Sequence, residues 1–286
     1  MKQTTRLYFI LVFIFFSFQC SNKPNINPKK QNIEFLIEKG IIYWEQRTDS
    51  LKLEKAKHFI TLAQENRPND FQLKILLSKI GYTQSLFFEK KSSIKSELFW
   101  NNSQICQDAV LAHKDFVQLY NNNKTDDYSQ MINLLSEAPK SVLPGLFWWA
   151  TNLGRYLNEK PVLERLKYRE LLEVLMHRII SLDPSFYYSG PYRFFGSLYS
   201  RIPGIELSQS KSYFDQALQA HPEYLGNLVH IAEYYYQKSG NREQFNKTLN
   251  IVINTDINEN PELMAENFLY QKRAKLLLSK EASLFE

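Results

Sequence analysis

The sequence predicts an all-α fold built from stacked helical hairpins. Three observations carry that prediction. Apolar residues recur at i, i+3, i+4 and i+7 in one segment after another. The 11 Pro sit mostly between those segments, and the chain has only 9 Gly. No run of alternating β-branched residues marks a strand. Aromatic content is 14%, with 17 Tyr and 20 Phe, enough to fill the gaps between helical layers with rings.

The 286 residues begin with Lys2 and Arg6, then a twelve-residue apolar run over residues 7–18. That run is too short to span a bilayer and suits an export signal. Cys20 follows, and then the polar SNKPNINPKK. The arrangement resembles a bacterial lipoprotein signal with Cys20 as the lipidated first residue. Gln19 and Ser17 stand where that pattern prefers a small and an aliphatic residue. Cleavage nearby without use of Cys20 is the alternative. The reading is a signal over residues 1–19, a flexible tether over 20–30 and one helical-repeat domain over 31–286. Cys106, the other cysteine, lies in an apolar helical run and reads as a buried, inert thiol.

The hairpins then follow in order. Gln31 opens the first. Gly40 and Tyr43 precede a turn at TDS, and Ala56, Ile60, Ala63 and Pro68 come after it at gaps of four, three and five. Asn69-Asp70 can cap an apolar helix over residues 71–88. Its partner spans about 98–120. NNNKTDD, residues 121–127, reads as a surface loop and the best candidate for a boundary between halves. A short helix covers 131–137. Pro144-Gly145 opens a helix over 146–157, paired with 162–182, which ends at Pro184. Tyr192, Phe195, Gly196 and Tyr199 form the next stripe, with Ser189 and Gly190 as caps and Pro191 in the first turn. Pro203-Gly204 breaks that helix, and a partner runs from Ser208 to Pro222. Leu228, Ile231, Ala232 and Tyr235 mark another helix, paired with 241–254. Asn260-Pro261 opens the last, to about Lys280, whose mixed apolar and basic residues suit a solvent-facing end cap.

These spacings resemble the tetratricopeptide repeat. Its W-x2-L-G-x2-Y appears as Tyr192-x2-Phe195-Gly196-x2-Tyr199, followed by Phe214, Ala217 and Pro222. Four hairpins of about five match it, with turns of uneven length. The resemblance implies a degenerate, closed-up superhelix with a concave groove lined by the first helices.

No enzyme signature stands out. The five His, at 58, 113, 177, 221 and 230, include no pair at metal-ligand spacing on one helix. There is no Gly-rich phosphate loop and no G-x-S-x-G, and no cofactor is expected. A net charge of +5 without a basic cluster argues against nucleic acid. Mapping the groove positions of the repeat family onto these helices picks out Ile37, Ile41 and Trp44, then Trp148, Thr151 and Arg155, then Arg193 and Ser197, and finally Val229 and Tyr236. If Ala150, Leu153, Gly154 and Leu157 face the core, Trp148 points nearly the opposite way at about 100° per residue. An apolar lining with one or two Arg suits an amphipathic anion, such as a fatty acid or an aromatic carboxylate.

The second half resembles one family in particular. The T component of tetratricopeptide-associated TRAP transporters carries an aromatic helix, a -DP turn, a G-x-Y-R-x-x-G-like run to a Pro-Gly, an Ala…Pro-Glu helix end and an Asn-containing helix rich in Tyr. Here these are residues 146–157, Asp183-Pro184, residues 190–204, Ala217 with Pro222-Glu223, and residues 227–236. The resemblance implies a periplasmic lipoprotein, anchored at the outer rather than the inner membrane. It implies a periplasmic solute-binding protein as partner, a homotrimer, an apolar channel through each protomer and a hydrophobic or amphipathic ligand. It implies no ATP hydrolysis. The alternatives are a lipoprotein scaffold for envelope assembly or secretion with no small ligand, and an envelope enzyme whose site the sequence does not reveal.

Overall fold

The computed structural model describes residues 28–123 and 127–286. The expected signal, the lipidation at Cys20 and most of the tether lie outside the described residues. Fifteen α-helices and no strand are present among those described. They are α1 (Pro28–Glu45), α2 (Ser50–Asn66), α3 (Phe71–Thr83), α4 (Ser92–Leu111), α5 (Lys114–Asn123), α6 (Tyr128–Ser136), α7 (Leu143–Leu157), α8 (Val162–Lys167) and α9 (Arg169–Leu182). There follow α10 (Phe186–Tyr199), α11 (Leu207–Ala220), α12 (Leu225–His230), α13 (Arg242–Asn254), α14 (Met264–Ser279) and α15 (Glu281–Leu284). The first helix starts at Pro28, three residues before the expected Gln31, so residues 28–30 belong to the fold and not to the tether.

Local chemistry starts and stops these helices. Asp49 accepts from the Leu51 and Lys52 amides, and Asp70 accepts from the Leu73 amide at 3.1 Å, as its place before an apolar run predicts. The pairs then stack as α1/α2, α3/α4, α7/α9, α10/α11 and α12/α13, with α14 packed on the last pair. The glycines of the repeat pattern let paired helices touch. A Cβ on Gly40 would lie 2.3 Å from Ile60, and one on Gly196 would lie 2.7 Å from Phe214. No side chain larger than hydrogen fits either place.

The main core runs from α3 to α10 without a break. Val110 and Phe116 before residues 121–127 share it with Leu134, Leu135 and Val142 after them. That loop is therefore no boundary. Two further cores fill the first hairpin and the C-terminal helices. The stack closes on itself. Arg47, just after α1, forms an ion pair with Glu266 of α14, and Phe87 packs edge-on against Tyr270 at 5.2 Å. Helix α14 is thus more than a solvent-facing cap: Asn267, Tyr270 and Ala274 are buried, and one face meets the first half of the chain.

Two segments are π-helical, Gln84–Phe88 after α3 and Ile231–Tyr236 after α12. A third irregularity opens α10. Tyr187, Tyr188 and Ser189 are left-handed, at φ of 48°, 57° and 55°, so the right-handed helix starts only at Gly190. Pro191 sits in its first turn as expected. Ser189 does not cap it, and its buried Oγ has no hydrogen-bond partner.

Candidate functional site

Helix α7 is the centre of the fold. Leu146, Ala150, Leu153 and Leu157 face the main core, yet Phe147, Trp148 and Trp149 are buried as well. A helix apolar all round is buried all round. Trp148 belongs to the main core and also lines a cleft that other helices close, and Gly154, expected on the core stripe, lines the same cleft. The Trp148 stripe continues through Thr151 to Arg155, at i, i+3 and i+7. Helix α10 contributes Arg193 and Ser197, four apart, and α12 with its π-helical extension contributes His230 and Tyr234, also four apart. Tyr82 from α3, Tyr187 from the left-handed turn and Tyr270 from α14 complete an aromatic wall. The cavity volume is about 60 Å³, room for a few waters.

Hydrogen bonds fix the polar end. Arg155 donates through Nη1 to the Tyr234 hydroxyl at 2.7 Å, and its Nη2 lies 2.8 Å from His230 Nε2. His230 Nδ1 lies 2.6 Å from the Gly226 carbonyl, which can only accept, so the proton is on Nδ1 and Nε2 accepts from Arg155. Burial, then the neighbouring Arg155 and Arg193, hold the His230 pKa well below 6.5 and keep the ring neutral. Burial alone would push the Glu233 carboxyl up, but Arg273 and Arg155 outweigh it and hold it down at about 2. Both Glu233 oxygens go to Arg273.

Arg193 is different. It is 6% exposed and donates to Asn227 Oδ1 at 2.6 Å and to the Tyr188 and Tyr187 carbonyls at 3.1 and 3.3 Å. Its guanidinium lies over the Tyr224 ring at 4.8 Å. No carboxylate pairs with it among the described residues. On the facing helix, the buried Thr151 Oγ1 has no hydrogen-bond partner. The cleft therefore holds one uncompensated cation and one unused hydroxyl.

The structure brings five of the ten groove residues together here: Trp148, Thr151, Arg155, Arg193 and Ser197. The other five lie elsewhere. Val229 is completely buried in the C-terminal core, and Tyr236 packs on that core beside Tyr235. Of its expected core positions Ile231 and Ala232 are buried but Leu228 and Tyr235 only half-buried, so the buried face is turned toward Val229 relative to the repeat pattern. His230 and Tyr234 line the cleft in place of Val229 and Tyr236. Ile37 packs into the first-hairpin core, and Ile41 is 41% exposed. Trp44 sits by the Arg47 guanidinium at 4.7 Å and the Lys79 ammonium at 5.6 Å. The first hairpin stands beside the closure of the stack, not on the cleft. Tyr187 and Tyr270 had no local signal in the sequence. Tyr82 lies in the apolar helix expected over residues 71–88, but nothing in the sequence singled it out.

Cys106 is completely buried, and burial pushes its thiol up to about 12, so it is inert at neutral pH. No three His, Cys, Asp or Glu converge among the described residues. No described helix is long and apolar enough to cross a membrane.

The molecule is thus a closed stack of helical hairpins around an aromatic cleft that carries buried arginine. Residues 98–285 match the family model of the TRAP transporter T-component, and the chain belongs to that family. The match covers every cleft residue except Tyr82. No curated protein matches the chain. Its role is that of an accessory, envelope-associated component in TRAP transport.

Proposed function

We propose that the cleft binds an amphipathic anion for a TRAP-type secondary transporter, and that the chain presents this ligand to a periplasmic solute-binding protein. Lipid on Cys20 would hold the domain at the membrane, with residues 20–27 as the tether, and the family resemblance makes a homotrimer the expected assembly. The observation that carries the reading is Arg193, a buried guanidinium with no acidic partner among the described residues, facing Thr151 across an aromatic cleft. An oxyanion on Arg193 supplies the missing charge, and Trp148, Phe147 and Tyr187 supply the apolar wall.

The cavity of about 60 Å³ is smaller than such a ligand. Binding therefore selects a wider state, reached by movement of the half-buried Phe194 and Leu198 on the cleft wall. The same narrowness favours the scaffold reading, in which the cleft stays shut and only protein surfaces are used. Native mass spectrometry on the full chain from its own membrane separates the two. A co-purifying anionic amphiphile supports the ligand reading. Its absence, with no rise in melting temperature on adding fatty acid, supports the scaffold.

A further inference from the structure

A second cavity adjoins the cleft at Tyr234, which lines both. Helix α10 lines the cleft with Arg193 and Ser197, and the turn that follows it lines the second cavity with Ser200 and Arg201. Helix α12 and the π-helical segment give His230 and Tyr234 to the first, and the π-helical segment and the residues just after it give Glu233, Tyr234 and Lys238 to the second. Asn158, at the end of α7, lines the first, and Arg165 of α8 lines the second. Neighbouring stretches of chain line the two cavities, and Tyr234 is shared.

The second cavity has a volume of about 350 Å³, several times that of the cleft. Its charge is one-sided. Arg165, Arg201 and Lys238 are in no ion pair among the described residues. The one carboxylate there, Glu233, is bound at both oxygens by Arg273. Arg165 Nε is buried and has no hydrogen-bond partner. A buried guanidinium N–H left unpaired carries a cost, and an oxyanion is an acceptor that would satisfy it. Tyr234 stands at the junction. Its hydroxyl accepts from Arg155 and from Asn158 Nδ2 at 3.0 Å, and Arg201 lies over its ring at 4.8 Å. Arg193 lies within α10, and Arg201 lies eight residues on, in the turn just beyond the helix end.

We propose that Arg165, Arg201 and Lys238 form an oxyanion-binding basin at the mouth of the cleft, which collects the acidic head of the ligand before it passes Tyr234 to Arg193. The path inward rests on the cleft reading above; the basin as an anion site does not. Three like charges at a cavity mouth concentrate anions and speed their entry, an effect that salt removes. Charges on the rim of a site act mostly on the association rate.

The test uses the full chain, wild type and Arg201→Gln/Lys238→Gln, with two probes. Lys238 is exposed, and its single Lys238→Gln variant serves if the double variant shows altered circular dichroism. Inorganic phosphate should shift the Arg165 Nε–H resonance in the wild type and much less in the variant. In stopped-flow tryptophan fluorescence, dodecanoate should associate about 10-fold more slowly with the variant at low salt, with the dissociation rate changed less than twofold. The difference should vanish near 1 M salt, and uncharged dodecanol should not distinguish the proteins. An Arg165 signal that ignores phosphate, or equal association rates for dodecanoate, overturns the proposal. Phosphate binding with no dodecanoate binding keeps the basin and removes the cleft reading instead.

Discussion

Arg47 and Glu266, 219 positions apart, form a largely buried ion pair that ties the end of the first helix to the last long one. It closes the helical stack. Lys79 sits beside it, its pKa lowered by burial, raised by Glu266 and lowered again by Arg47. Three charges therefore share one junction, with Glu266 the only anion of the three.

Glu266→Gln should accordingly destabilise the fold by about 2 kcal/mol, since it leaves two cations facing each other in a poorly solvated place. Urea unfolding checks this. A loss below about 0.5 kcal/mol would mean that the junction behaves as a surface pair.

Ser189→Gly should stabilise the protein by about 1 kcal/mol or more. Ser189 is held at φ 55°, where a side chain costs energy and glycine does not. Its buried hydroxyl is also unpaired. The Arg193 bonds to the Tyr187 and Tyr188 carbonyls should keep the turn in place. A drop in melting temperature for this variant contradicts the left-handed turn.

Acid should weaken the fold in two windows. His230 has a folded pKa well below 6.5, so the unfolded chain takes up a proton that the folded ring refuses, and stability falls as pH drops below about 6.5. Glu233 is held at about 2 against a reference of 4.5, so its contribution is present above about 4.5 and is lost as pH falls toward 2. That second loss is about 3 kcal/mol. Urea midpoints against pH check both, and His230→Gln should flatten the first window alone.

Trp148→Ala should cost about 3–5 kcal/mol, because the ring is 3% exposed and meets Tyr82, Phe147 and Tyr187. It is at once core and cleft wall. Thr151→Val is the cleaner probe of the cleft: it removes an unpartnered hydroxyl at nearly constant volume, so stability should hold or rise slightly while ligand affinity falls. Thermal melts with and without dodecanoate measure both.

The hairpins were legible in the sequence because each rests on local periodicity and on residues that punctuate it, such as Asp70 and Pro203-Gly204. The α7 stripe was legible because the repeat family's groove positions map onto a regular helix: Trp148, Thr151 and Arg155 follow from that mapping. What was hidden depends on departures from that geometry. No residue type there marks Tyr187, Tyr188 and Ser189 as left-handed; Arg193, itself held by Asn227 of a later helix, bonds the Tyr187 and Tyr188 carbonyls. The turned helix at residues 225–236 moves the lining from Val229 and Tyr236 to His230 and Tyr234. Tyr270 reaches the cleft only because the stack closes, a relation between the two ends of the chain that no short window contains.

The most direct test is calorimetric titration of the full chain with dodecanoate, set against Arg193→Gln and Thr151→Val. Binding to the wild type with a negative heat-capacity change, weakened at least 10-fold in Arg193→Gln and measurably in Thr151→Val, is the predicted result. Equal affinity for dodecanoate and dodecanol, or no binding to the wild type at all, would contradict an anion held at Arg193.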